Sequence, residues 1–463
     1  MKTETSPAAR VARNALRTLV LVSFTQLPFW LMQSRQSILR PVFNLDLFVA
    51  LMIMLRSARW GMVALVAAWL VEVFRDASIN YHFQNTADFL DAARFMSLVN
   101  LGQILSWTIV LAVALMSACA VGAYVLARRW PPPVSHVIAF GVFAFVAATV
   151  NGSSHVLGLG RDRLLLPVYI AGSPGWGAIR TVWTNSSMTS ESMVRSEDPI
   201  TFEHARAWHA AQPRSTVLLV LVESMGYARS AAIRDWLASR LDTPSIERRW
   251  TVQQTSEPFV GPTIYGELRV LCGLRGHYSR LTPADESRCL PRMFIGGGGQ
   301  AIGLHGFSLR MFDRQVWWRD LGLQPETFRV DGMPTVDKDC SVAFPGVCDS
   351  VVLRRAVELA DAPSRLVYVV TLDTHLPLPP RSPPLPPGLA ERCRTEHIAP
   401  LACVMVERLG GVLDSLRDNL DRMQHPPLVL VVGDHAPPFV ETAVREAFDQ
   451  GHVPGFILEP RQR

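Results

Sequence analysis

At 463 residues the chain is too long for one typical domain and suits two. Hydrophobic residues make up 49% of it and the mean hydropathy is +0.19, high for a soluble enzyme. The net charge of +5 is small for this length and no block of like charge stands out, so nothing suggests a nucleic-acid partner.

The apolar residues lie mainly before about residue 157. Residues 16–32, 42–55, 61–74, 98–127 and 134–150 are candidate membrane spans, to be set against the roughly 20 helical residues that an apolar layer about 30 Å thick requires. The second and third are short, so four spans stand as the alternative to five. Apolar segments recur too far into the chain for one cleaved signal peptide. Lys2, Arg10, Arg13, Arg17, Arg56, Arg59, Arg128 and Arg129 fall where five spans would make them cytoplasmic, which puts the carboxy-terminal part outside; Arg35 and Arg40 run against this. Six of the seven cysteines lie in that part, as suits disulfides in an oxidising compartment, with Cys340–Cys348 and Cys393–Cys403 as plausible local pairs. A zinc cage fits less well without a close C-x-x-C pair. The organisation expected is a transmembrane domain over 1–157, a juxtamembrane linker over 158–213 and an extracytoplasmic catalytic domain over 214–463. Within the linker, Trp176, Trp183 and the amphipathic run TFEHARAWHAAQ could rest on a membrane surface or simply connect.

From residue 215 onward, STVLLVLVES, QAIGLHG, RLVYVVTLDTH and PLVLVVGDH are apolar at consecutive positions, as strands buried on both faces of a parallel sheet are. Helix-like runs such as SVVLRRAVELA and ACVMVERLGGVLDSLRDNL alternate with them, which predicts an α/β domain with a mainly parallel sheet. The residues at the strand ends matter more. Glu223, His305, Asp373 with His375, and Asp434 with His435 all stand at strand carboxyl ends, where open α/β sheets gather ligands.

Glu223, Asp434 and His435 offer two carboxylates and an imidazole, a donor set suited to one divalent ion, manganese rather than zinc. In GPTIYGELRVLCGL, Pro262 and Thr263 precede an apolar run of helical period, so Thr263 sits at or near a helix amino terminus. The plain reading is a threonine N-cap. Beside a divalent cation the same hydroxyl becomes a nucleophile, because ion and helix dipole both favour its alkoxide. The glycine run IGGGGQAIG lacks the lysine of a phosphate-binding loop and reads as a turn; LPLPPRSPPLPPG reads as a stiff connector.

The ordered set VESMG, GPTIYGEL, LHGFSLRMFDR, TLDTH and GDHAP resembles the lipoteichoic acid synthase and phosphoglycerol transferase branch of the alkaline phosphatase/sulfatase superfamily. The resemblance implies an N-terminal α-helical transmembrane bundle of about five helices followed by a sulfatase-like α/β domain. It implies that Glu223, Thr263, Asp434 and His435 bind the metal, with Thr263 also the catalytic nucleophile, and that Arg314, His375 and His305 face the substrate. Asp313 stands where the family commonly has asparagine.

The reaction this implies is a phosphotransferase cycle in a bacterial cytoplasmic (inner) membrane protein whose catalytic domain is periplasmic. A phosphoglycerol-type headgroup passes from a phospholipid donor through threonine to a glycan or other hydroxyl acceptor. A phosphoethanolamine transferase and a sulfatase-like phosphodiester hydrolase are the rival enzymes, and a catalytically dead membrane scaffold or sensor is the non-enzymatic alternative. The sulfatase reading is weakened at CLPRM, residues 289–293, because Met293 replaces the arginine of the formylglycine signal.

Overall fold

The structure, a computed structural model, describes residues 6–33, 43–84, 86–100, 102, 107–152, 171–172, 193–327, 340–344, 346–379 and 384–461. Trp176, Trp183 and positions 380–383 of the proline-rich connector lie outside them. The chain divides into two compact units, Met1–Asn80 with Leu105–Thr189, and Tyr81–Ile104 with Ser190–Arg463. The expected division at 157 and 213 passes over residues 81–104, which here belong to the second unit.

In the first unit the helices Pro7–Gln33, Leu45–Arg56, Ala58–Asn80, Trp107–Arg129 and Val134–Gly152 occupy the five expected stretches. Their buried contacts form one cluster that includes Leu21, Leu47, Leu51, Leu65, Trp69, Ala123 and Val137. Helices Leu45–Arg56 and Ala58–Asn80 pack closely at Gly61, where a Cβ would fall 2.1 Å from the Met54 backbone. Among the described residues only Ile109–Arg129 is long and apolar enough to cross a membrane by itself. The 12 residues of Leu45–Arg56 fall short at about 1.5 Å of rise each. The fourth candidate also begins later than expected, at Trp107 rather than Leu98. The apolar side chains of Leu98 and Val99 have another use: they pack on Phe307, Ala343, Phe344 and Leu372 within the second unit.

The second unit is built on seven strands: β1 (Val217–Val222), β2 (Trp250–Pro258), β3 (Gln300–His305), β4 (Gln324–Thr327), β5 (Arg365–Val370), β6 (Leu428–Gly433) and β7 (His452–Pro460). They are ordered β2-β7-β6-β1-β5-β3-β4. β6, β1, β5, β3 and β4 run parallel, and β7 pairs antiparallel with both β6 and β2. The four strands expected from continuous apolar runs are the four central ones. Every residue of β1 and β6 is buried, as covering on both faces requires. Helix Asp349–Ala360 packs on β5 and on Pro400–Leu420, while Thr263–Cys272 packs on β1 and on Ile200–Ala211. That last helix carries the TFEHARAWHAA run. Phe202 and Ala205 enter the main core and Thr201 N donates to Glu257 Oε2 at 2.9 Å, so the run belongs to the second unit's own core.

Disulfides join Cys340 to Cys348 and Cys393 to Cys403 as expected, and Cys272 to Cys289. The last ties the end of the Thr263–Cys272 helix to the start of Leu290–Gly296. It also occupies the one cysteine the sulfatase signal would have needed.

Candidate metal and phosphoryl-transfer site

Register builds the site. In the parallel pairing of β6 with β1, Gly433 lies beside Val222, so the next residues, Asp434 and Glu223, emerge side by side. The ladder runs one step further, with Asp434 N donating to the Val222 carbonyl at 3.2 Å. On the other flank Thr371, just past β5, accepts from Glu223 N at 2.9 Å through Oγ1. Ser224 turns the chain in the left-handed region at φ 54° and donates its N–H to Asp434 Oδ1 at 2.7 Å. The two carboxylates therefore leave adjacent rungs of the sheet, and the Ser224 amide holds that of Asp434 directly.

Thr263 opens a ten-residue helix whose N-cap is Pro262. Its hydroxyl does not cap that helix. Thr263 Oγ1 donates to Glu223 Oε2 at 3.0 Å and lies 3.3 Å from His435 Nε2. The helix approaches so near that a Cβ on Gly266 would fall 3.0 Å from the Asp434 Cβ. It is held there by Arg269, which pairs with Glu257 at 2.7 Å and donates to the carbonyls of Gly433 and Asp434 at 2.6 and 3.2 Å. Arg269 was not among the expected site residues, and its signal in the sequence, an arginine inside an apolar helical run, is one a surface residue would also give.

Tautomers follow from the carbonyl partners, since a carbonyl can only accept. His435 Nδ1 faces Ala436 O at 2.9 Å, His305 Nδ1 faces Val370 O at 2.9 Å and His375 Nδ1 faces Leu376 O at 2.6 Å. Each therefore carries a hydrogen on Nδ1, which leaves Nε2 as the nitrogen that can serve a metal or a proton. Burial lowers His375, and burial with the Arg314 charge takes His305 down to about 3, so both are neutral near pH 7.

The residues fit a divalent cation. Glu223, Asp434 and His435 are buried, and one donor atom from each lies within 4.8 Å of the others. His435 Nε2 is 3.3 Å from Asp434 Oδ2 and 3.7 Å from Glu223 Oε1. Asp434 Oδ2 is buried without a hydrogen bond, which is costly unless another partner claims it. Burial, then the neighbouring Glu223 carboxylate, pushes Asp434 well above the usual carboxylate range. Burial opposes charge on Glu223 too, yet that carboxyl is held low, with hydrogen bonds from the Ser224 hydroxyl and from Asp434 favouring its charged form. With Asp434 raised and Glu223 lowered, the pair favours sharing a proton that a bound cation would displace. Affinity for a divalent ion should rise about tenfold per pH unit while the pair holds that proton. Titrations of chelator-treated protein at several pH values should show one proton released per ion; an affinity flat with pH would contradict the shared proton.

Arg314, which the resemblance turns toward the substrate, also has a carboxylate partner within the chain. It is buried on Glu267, with Nε and Nη2 each 2.8 Å from Oε1. Glu267 also accepts from Trp318 Nε1 at 3.0 Å and Tyr368 OH at 3.4 Å. Asp373 accepts from Asp349 N at 3.0 Å, an orienting bond at the end of β5.

No family model matches the chain and no curated protein matches it. Among solved structures it is similar to an alkaline phosphatase superfamily protein from Vibrio parahaemolyticus, at 15% identity and a TM-score of 0.37, over 54% of this chain and 60% of that one. It is similar to the lipoteichoic acid synthase of Listeria monocytogenes at 13% identity and a TM-score of 0.34, over 58% and 69%. For a phosphoglycerol transferase of Streptococcus pyogenes in complex with sn-glycerol-1-phosphate, the values are 14% and 0.37, over 58% and 78%. The chain spans only 60% of the length of the first of these. Of these three structures, the first is described by the superfamily that the motifs resemble, the alkaline phosphatase superfamily.

Proposed function

We propose that this chain is a multi-pass protein of the bacterial cytoplasmic membrane whose periplasmic domain transfers a phosphoglycerol-type headgroup from a phospholipid to a glycan or other hydroxyl acceptor. One observation carries this reading: a threonine hydroxyl at a helix amino terminus, 3.0 Å from Glu223 and 3.3 Å from His435, in a buried donor set that a divalent ion fits. Apolar helices suit a donor that stays in a bilayer.

Glu223, Asp434, His435 and Thr263 hold the ion, with manganese favoured over zinc by the predominance of oxygen donors. When bound it supplies charge that favours the ionised threonine and the crowded phosphoryl oxygens. Thr263 Oγ1 gives up its proton along the bond to Glu223 and attacks phosphorus. The threonine–phosphorus bond forms, the bond to the diacylglycerol oxygen breaks, and diacylglycerol leaves with a proton from solvent. In the second half the acceptor hydroxyl attacks the same phosphorus and threonine departs, recovering its proton. His375, with Nε2 free of hydrogen, takes the acceptor's proton, and His305 lines the substrate side. Arg314 acts through Glu267, fixing the helix that bears Thr263.

Mass spectrometry of Thr263 after incubation with phosphatidylglycerol and, separately, phosphatidylethanolamine tests the reading. A glycerophosphate adduct is expected from the first. An ethanolamine phosphate adduct would move the headgroup assignment, and an unmodified threonine in protein that releases diacylglycerol would remove the covalent route.

A further inference from the structure

One short stretch touches several of the segments around the site. Tyr81–Ile104 stands in the sequence between helices Ala58–Asn80 and Trp107–Arg129, yet it is part of the second unit. At its start, His82 Nε2 lies 3.1 Å from the Ala436 carbonyl, and its ring is 5.5 Å from the His435 ring and 5.2 Å, edge-on, from Phe259. Further along, Asp88 accepts from Tyr265, two residues past the nucleophile, at 3.2 Å. Asp91 meets His277 at 3.0 Å and Tyr278 at 2.7 Å. Arg94 then forks onto Asp313 at 2.8 and 3.2 Å, and Phe95 meets Phe312 edge-on at 5.7 Å. Finally Leu98 and Val99 pack on Phe307 and Phe344, and the Phe344 ring lies 4.2 Å from that of His375.

The Ala436 carbonyl is where this matters for the metal. Its oxygen has two lone pairs, and two imidazoles address it: His435 through Nδ1 and His82 through Nε2. Because the carbonyl only accepts, both nitrogens carry hydrogens. Fixing that carbonyl fixes the direction of the His435 ring, and so where its Nε2 points. Backbone conformation adds a separate observation. Among the described residues seven non-glycine positions have positive φ, and four of them border the site: His82 at 58°, Ser224 at 54°, Phe312 at 55° and Asp313 at 53°. Such conformations are disfavoured for residues bearing a Cβ and gather where function holds them. Asp313 itself, which departs from the family's usual asparagine, finds its cation in Arg94 of this stretch.

We infer that Tyr81–Ile104 is a clamp on the phosphoryl-transfer site and that His82 is a positioning residue for the metal ligand His435, acting through the Ala436 carbonyl. The inference rests on the metal reading of the site. Its test uses the full-length protein in detergent, stripped of metal and titrated with Mn2+. His82→Phe keeps a ring against Phe259 and His435 and removes the donor; its Mn2+ affinity should fall by about 10- to 100-fold. His82→Gln, whose side-chain amide can still donate to Ala436, should bind close to native strength. Native affinity in His82→Phe, or an equal loss in His82→Gln, overturns the assignment and leaves the transfer reading intact. Native protein that binds Mn2+ but transfers no headgroup leaves His82 standing and overturns the transfer. Absence of Mn2+ uptake by the native protein overturns both.

Discussion

Replacing Thr263 with alanine should lower diacylglycerol release by a factor on the order of 10^4 or more, while the fold survives. Removing a covalent nucleophile costs several powers of ten, and 10^4 corresponds to about 5.5 kcal/mol of barrier. The substitution deletes one hydroxyl and one methyl group from a side chain that makes no cap to its helix, so unfolding should shift little. Thr263→Ser, which keeps the oxygen, should retain most of the rate. Release from a fluorescent phosphatidylglycerol, with unfolding followed in parallel, decides it. A scaffold or sensor would keep its behaviour in the alanine variant. Alanine and wild type releasing diacylglycerol equally would mean that Thr263 is not the nucleophile.

The second large effect concerns stability. Glu267 and Arg314 form a pair at 0% and 3% side-chain exposure, and Glu267 is satisfied by Trp318 and Tyr368 as well. Breaking such a pair on one side leaves a buried charge alone and costs about 3–5 kcal/mol. Glu267→Leu and Arg314→Met should each lose roughly that much, whereas the double variant, with both charges gone, should recover a large part. Denaturant unfolding of all three measures it. Headgroup release should return with stability in the double variant, because Arg314 is engaged by Glu267. A double variant that is stable yet inactive would instead put Arg314 on the substrate phosphate.

How legible the site was in the sequence differs from residue to residue. Glu223, Asp434 and His435 could be found because β1 and β6 are buried on both faces and therefore spell continuous apolar runs, whose ends mark the edge where ligands collect. β2 and β7 gave no such signal. β2, at the rim of the sheet, is polar at five consecutive positions from Gln253 to Glu257, and a half-covered edge strand need not be apolar throughout. Arg314 was named for the substrate because a motif reports position along the chain and not the partner; the carboxylate that engages it, Glu267, lies 47 residues earlier. The stretch at 81–104 was hidden for a third reason. Hydropathy gives Leu98 and Val99 the same value whether they meet lipid or the Phe307–Phe344 cluster, so residues 98–104 read as part of a span. His82 had no motif around it.

The side-by-side placement of Asp434 and Glu223 has a bearing on when the protein would acquire the proposed ion. Ser224 and Asp434, which bond across the β1–β6 junction, are 210 positions apart, and β6 is the last but one strand to be made. Pairings between such distant stretches form late in folding, after long loops have closed, and affinity for a cation appears only once they exist. A partly synthesised chain lacks two of the three acidic and imidazole donors, so loading would be deferred until Asp434 and His435 have emerged. The compartment in which folding finishes then chooses the metal.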